Sequence, residues 1–159
     1  MIIPATKKVN TKPYRSGVNE MGLVYAEIEL TSVDDMVLHR RGFLDESKIK
    51  QVRVDALVDS GAYMLCINEN VKAQLDLPLI EKQFSRLADE TLLELEVVGP
   101  VEIRFENRST TVRAIVLPGN SEVLLGAIPM EDMDVLIDPK RQKLVVNPEH
   151  PYVATKHLK

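Results

Sequence analysis

From Leu93 to Val116 apolar residues fall at alternate positions in three successive runs, and this period of two is the tightest constraint on the fold. Leu93, Leu95 and Val97 alternate with Glu94 and Glu96; Val101, Ile103 and Phe105 alternate with Glu102 and Arg104; Val112, Ala114 and Val116 follow a turn over 106–109. In an extended chain successive side chains point to opposite faces, so each run presents one apolar face and one polar face. Gly99-Pro100 bends the chain between the first two runs, which predicts strand, turn, strand, turn, strand. The same spacing recurs at Val24, Ala26, Ile28 and Leu30, and at Val52, Val54, Ala56 and Val58. Aromatic residues make up only 4% of the chain and Trp is absent, so Val, Leu, Ile and Ala must fill the core. The expected class is all-β, a compact barrel or sandwich.

Two short helices are expected. Asn68 stands where it caps a helix from Glu69 to Leu75, with Val71 and Leu75 on one face and Pro78 beyond its end. Pro129, near the start of Ala127 to Met133, marks the second. Asp34-Asp35 reads as a turn and Met36 to Arg40 as a short strand. Tyr63 to Ile67 reads as another strand, and Val135 to Asp138 with Leu144 to Val146 as a last hairpin about Pro139-Lys140. A chain of 159 residues fits one domain, here 21–147, with an arm over 1–20 that orders only if docked and a tail over 148–159.

Composition excludes several function classes. Apolar residues make up 45% and charged residues 28%, the net charge is −4, and both signs are interspersed. Nucleic-acid binders carry a basic stripe that displaces counterions from phosphates, and none is present. No apolar run approaches the ~20 residues of a membrane span. Met1 to Val9 lacks the apolar centre of a secretory signal, so a cytoplasmic location is expected. Cys66, the one cysteine, excludes an intrachain disulfide, and its neighbours Leu65 and Ile67 predict a buried thiol. His39, His150 and His157 show no metal-ligand spacing, and no Gly-rich phosphate loop occurs. No metal and no cofactor are expected.

The strand Val52 to Val58 runs into Asp59-Ser60-Gly61-Ala62. A carboxylate and a hydroxyl thus stand at a bend where Gly61, lacking a Cβ, permits close approach. As a tripeptide, Asp-Ser/Thr-Gly arises by chance in roughly one chain in fifteen of this length, so the order of the surrounding elements carries the signal. Downstream come a hairpin tip at Ala88 to Thr91, and Leu124-Leu125-Gly126 before a short helix. A serine hydrolase acting through Ser60 would need Gly where Val58 and Ala62 stand.

That ordered set, spread over Met21 to Val146, resembles the retropepsin-like aspartic proteases. The resemblance implies a single-lobe acid-protease barrel in which Asp59, Ser60 and Gly61 form the catalytic loop. Ala62, the flap residues Ala88, Asp89 and Glu90, and Leu124 would line the substrate, while Leu125 and Gly126 would support the loop. The flap tip has no glycine, although tight turns there can need positive φ. The chemistry takes two carboxylates, one as base for a water and one as acid for the carbonyl oxygen and leaving amine. The chain has one such motif, so the resemblance implies a C2 homodimer with Asp59 of each subunit at the axis. As in that class generally, two like charges so close hold one proton between them. The expected function is therefore a dimeric aspartic endopeptidase acting on peptides or proteins. The alternative is a non-catalytic β-barrel that binds a peptide or partner and keeps Asp59-Ser60-Gly61 only as a turn.

Overall fold

Most of the alternating runs become strands. A computed structural model describes residues 8–9 and 22–158. In chain order its elements are β1 (Lys8–Val9), β2 (Tyr25–Ser32), α1 (Val33–Arg40), β3 (Gln51–Val58), β4 (Leu65–Ile67), α2 (Glu69–Leu75), β5 (Leu79–Arg86), β6 (Leu92–Phe105), β7 (Arg108–Val116), β8 (Leu124–Leu125), α3 (Ala127–Met133), β9 (Val135–Asp138) and β10 (Lys143–Val146). The expected arm over 1–20 lies outside the described residues except Lys8–Val9, which pair in parallel with Arg53 and Val54.

One sheet has the order β1-β3-β2-β6-β7-β4-β8, with β5 added beside β6. Because β8 also pairs with β3, the hydrogen bonding runs in a closed circuit from β3 through β2, β6, β7, β4 and β8 back to β3. Closure leaves few free edges inside that circuit. The inward positions are those predicted by alternation: Val52, Val54, Ala56, Ile28, Leu30, Val101, Ile103 and Ala114 are all at most 1% exposed. β9 and β10 form a separate antiparallel pair. No described helix is long and apolar enough to cross a membrane.

α2 forms as expected. The Asn68 side chain accepts the Val71 N–H at 2.9 Å, satisfying one of the donors that a helix start leaves unpaired. At seven residues it is too short to persist alone; Val71 and Leu75, both fully buried, each contribute about 1.5–3 kcal/mol of apolar burial.

Three expectations are corrected. Met36 to Arg40 is not a strand, because Val33–Arg40 forms a helix and brings the number of α-helices among the described residues to three, making the fold strand-rich rather than purely β. The Ser32 hydroxyl accepts the Asp35 N–H at 3.3 Å, Asp34 and Asp35 stand in the positive first turn, and His39 and Arg40 in the negative last turn. The spacing Ser-x-x-Asp is a capping signature that outweighs the local run Met36-Val37-Leu38. Asp35 also ties the helix to the start of β3 by accepting from the Lys50 N–H at 2.9 Å. Second, Gly99-Pro100 does not separate two strands. β6 runs through it, and a register shift against β7 between Val98 and Val101 absorbs the extra residues. Gly99 has a φ of 138°, open to glycine, and Pro100 falls in the bulge, where no ladder donor is needed. Third, the strand expected from Tyr63 begins only at Leu65, because the preceding residues belong to the loop described below.

The segment after β10 is fastened to the body through Asp134. Its carboxylate accepts from the Asn147 amide at 3.0 Å, the Thr155 N–H at 3.0 Å and the His150 ring at 2.7 Å. These donors, the Thr155 N–H foremost and then Asn147, hold the Asp134 carboxyl down at about 2. A folded-state value below the ordinary ~3.9 stabilises the fold above that pH and stops doing so as pH falls toward the folded value. Asp134→Asn should therefore unfold at lower urea than wild type, by a margin that is constant above about pH 4 and closes toward pH ~2. A margin independent of pH would contradict this role.

Candidate functional site

β3 carries Asp59 to the end of the sheet with both of its flanks paired. On one side the Val58 N–H donates to Val24 O at 2.8 Å; on the other Leu57 donates to Val123 O at 2.8 Å and Asp59 to Leu125 O at 3.0 Å. The backbone of Asp59 is thereby fixed before the chain turns. Within the turn, the Gly61 N–H donates to Asp59 Oδ1 at 2.9 Å and the Ala62 N–H to Asp59 O at 3.1 Å. Asp59 and Ala62 are half-buried, while Ser60 and Gly61 are exposed at the apex.

β8 and α3 brace this loop from beneath. β8 runs parallel to β3, pairing Leu57 with Leu124 and Val58 with Leu125, and antiparallel to β4, pairing Leu65 with Leu125 and Cys66 with Leu124. Leu125 is fully buried. Leu124 is half-buried on the opposite face of β8. A Cβ on Gly126 would lie 2.3 Å from Met64 O and 2.7 Å from Ala62 O, so only glycine fits between loop and helix. No side chain caps α3. Its first two donors go instead to the loop, Ala127 N–H to Ala62 O at 2.8 Å and Ile128 N–H to Tyr63 O at 2.9 Å, which answers the need of a helix start for acceptors.

The structure thus brings together Asp59, Ser60, Gly61, Ala62, Leu124, Leu125 and Gly126. Ala88, Asp89 and Glu90 belong to a different element, the exposed turn between β5 and β6. The hydrogen bonds that shape this turn run within it: Leu87 N–H to Thr91 O at 2.8 Å, Glu90 N–H to Leu87 O at 2.9 Å, and Thr91 N–H to Asp89 Oδ1 at 3.1 Å. Glu90 takes the positive φ, 71°, that glycine would adopt more readily. The Thr91 hydroxyl, followed by its N–H, lowers the Asp89 carboxyl below its usual range.

Other residues contribute that sequence spacing did not reveal. The Tyr25 hydroxyl donates to Glu122 Oε1, and the Asn68 amide, already capping α2, donates to Ser121 O at 2.9 Å. Both hold the segment that leads into β8. Asn68 and Ser121 are 53 positions apart and Tyr25 and Glu122 are 97, so no local pattern could signal either pair. Cys66 is buried as expected, and burial, followed by the nearby charge of Asp59, pushes its thiol up.

Among the described residues no cluster of three or more His, Cys, Asp or Glu has the arrangement to hold a metal ion. Hollows of about 440 Å³, over β2 and β3, and about 510 Å³, between α3, β9 and the tail, are both lined by residues other than Asp59. Asp59 stands instead at an open loop.

No curated protein matches the chain. Among solved structures, the retroviral protease-like domain of Ddi1 from Leishmania major is similar, with 14% identity over 79% of this chain and 90% of that one and a TM-score of 0.48. A model of the aspartyl protease family matches residues 46–127. That match covers more than half of the sequence and takes in β3, the Asp59-Ser60-Gly61 loop, the hairpin turn and β8: the chain belongs to the aspartyl protease family.

Proposed function

We propose that the protein is a retropepsin-like aspartic endopeptidase that works as a homodimer, with Asp59 of each subunit forming the catalytic pair. The observation that carries this reading is the braced loop. Asp59 is clamped through its backbone by β8, yet the loop apex, Ser60 and Gly61, is exposed. A carboxylate needed only for a turn does not require that clamp from a strand 66 positions away, from Asp59 to Leu125. Such fixing suits an acid–base group, which has to be held in a defined place before the substrate arrives.

In this reading one Asp59 carboxylate takes a proton from a water that attacks the peptide carbonyl. The other supplies a proton first to the carbonyl oxygen and then to the leaving amine. Two carboxylates ~3 Å apart repel by roughly 5 kcal/mol at an effective dielectric of ~20, so the working pair carries one shared proton. The exposed Ser60 hydroxyls would meet across the axis and hold the two loops in register. Ala62 and Leu124 would line the cleft, and the turn at Ala88, Asp89 and Glu90 would close over it. An extended peptide with apolar residues on both sides of the cut bond fits a groove of this kind.

Asn resembles Asp in shape but cannot take the proton from water. Asp59→Asn should therefore abolish peptide hydrolysis while leaving the chain folded and dimeric, read by peptide-library cleavage and sedimentation. Wild-type specific activity should fall on dilution in parallel with dissociation of the dimer; a fully active monomer would overturn the proposal. Gly126→Ala tests the brace. Its Cβ meets backbone at 2.3 Å, which should cost about 1–3 kcal/mol in urea unfolding and displace the loop, so activity falls further than stability alone explains. Full activity in folded Gly126→Ala would show that the brace is not needed.

A further inference from the structure

β5 has one paired edge and one open edge. It pairs with β6, and among the described residues no strand pairs with its other side. In an antiparallel pair, residues that exchange hydrogen bonds with the partner alternate with residues whose N–H and C=O point away from it. The hairpin tip sets the phase of that alternation. The Leu87 N–H donates to Thr91 O at 2.8 Å, so the next pair, Arg86 with Leu92, exchanges no bonds. By the same alternation neither do Phe84 with Glu94 and Lys82 with Glu96. The backbone N–H and C=O groups of Lys82, Phe84 and Arg86 therefore face the open side.

Proteins guard such an edge with a free charge, a proline or a bulge. From Glu81 to Arg86 the pairing with β6 is regular, the register shift being confined to Leu79/Glu81, and the segment has no proline. Its charged side chains are drawn away from the open side. Lys82 pairs with Glu94 of β6 at 3.1 Å, Arg86 with Glu90 of the turn at 3.0 Å, and Glu81 with Arg113 of β7 at 3.1 Å. Charge is thus matched within the hairpin and its neighbour. Register puts Lys82, Phe84, Leu92 and Glu94 on one face, where Phe84 is 65% exposed and Leu92 58%.

We infer that the open edge of β5 at Lys82, Phe84 and Arg86 takes an extended, uncharged segment of another protein chain as an added strand, with an apolar side chain of that segment beside Phe84. Each property of the occupant follows from one observation. Outward N–H and C=O groups at alternate residues match an extended backbone, which can answer them in the same rhythm. The internally matched charges leave an acidic or basic side chain of the partner without a counter-ion, so covering one costs free energy. The exposed ring of Phe84 favours an apolar neighbour. A partner strand of about five residues spans Lys82 to Arg86. The surface is the side of the hairpin rather than the Asp59 loop, and the inference does not depend on catalysis.

The test follows amide hydrogen exchange by NMR in the full chain carrying Asp59→Asn, so that the probe, an end-blocked octapeptide of alternating Thr and Val, is not cut. Without peptide, the amides of Lys82, Phe84 and Arg86 should exchange faster than those of Gln83 and Ser85, which bond to β6. With peptide at ten times its Kd, exchange at Lys82, Phe84 and Arg86 should slow about tenfold. Lys82→Pro removes an N–H that faces solvent and keeps the β6 ladder, and it should weaken binding about tenfold. Phe84→Ala should weaken it similarly, and the fully N-methylated peptide should not bind. The exchange pattern reads an unaltered β5, so it decides the matter even if Lys82→Pro does not fold. Absence of saturable binding, protection at Gly61 and Ala62 in place of β5, or equal binding of the N-methylated peptide would overturn the inference. So would tighter binding of an Asp-rich or Lys-rich peptide of the same length, or a lower oligomeric state in Lys82→Pro, which would name a second copy as the occupant.

Discussion

The absence of a side chain at Gly126 is the constraint on which the rest of the site depends. Backbone carbonyls of Ala62 and Met64 occupy the space a Cβ would need, so β8 can pass between β3 and β4 and turn at once into α3. That passage does three things together. It closes the circuit of strand pairing, gives the Asp59 N–H its acceptor at Leu125, and presents loop carbonyls to the start of α3. Each partner satisfies polar groups that the other would otherwise leave buried and unpaired, which makes loop, strand and helix one unit.

Support for this unit comes from distant parts of the chain. Tyr25 reaches Glu122 and Asn68 reaches Ser121, so the segment entering β8 is held from β2 on one side and from the cap of α2 on the other. The β5–β6 turn is built differently, its hydrogen bonds being local and its residues exposed. Few buried contacts restrain such a hairpin tip, and segments of that kind open at low cost in free energy. In the proposed function, the fixed carboxylate loop would serve as the floor of the cleft and the locally organised hairpin tip as its cover.

Apolar alternation located β2, β3, β6 and β7 because a sheet with one buried face leaves a period of two in the sequence. The α2 cap was equally legible, since Asn68, Val71 and Leu75 act within two turns. Two of the misreadings fell where one local signal competed with another, and the third, at Tyr63, where α3 holds the loop before β4. At α1 the apolar run Met36-Val37-Leu38 suggested a strand, and the Ser32 cap with Asp35 bound to Lys50 decided for a helix. At Gly99-Pro100 the usual turn dipeptide sits inside one long strand, because β7 accommodates the extra residues by shifting register.

The sequence alone therefore determined which segments are extended, that Asp59 ends one of them beside a hydroxyl and a glycine, and that the core is aliphatic. These are properties of neighbours, and neighbours leave periodic traces. Only the tertiary structure decided that β8 lies between β3 and β4, that Glu90 supplies the positive φ in the hairpin turn, and that Tyr25, Asn68 and Asp134 fasten segments far from them in sequence. Such contacts arise when the chain closes on itself. Their partners are set by packing and by the need to pair every buried donor and acceptor, neither of which local spacing records.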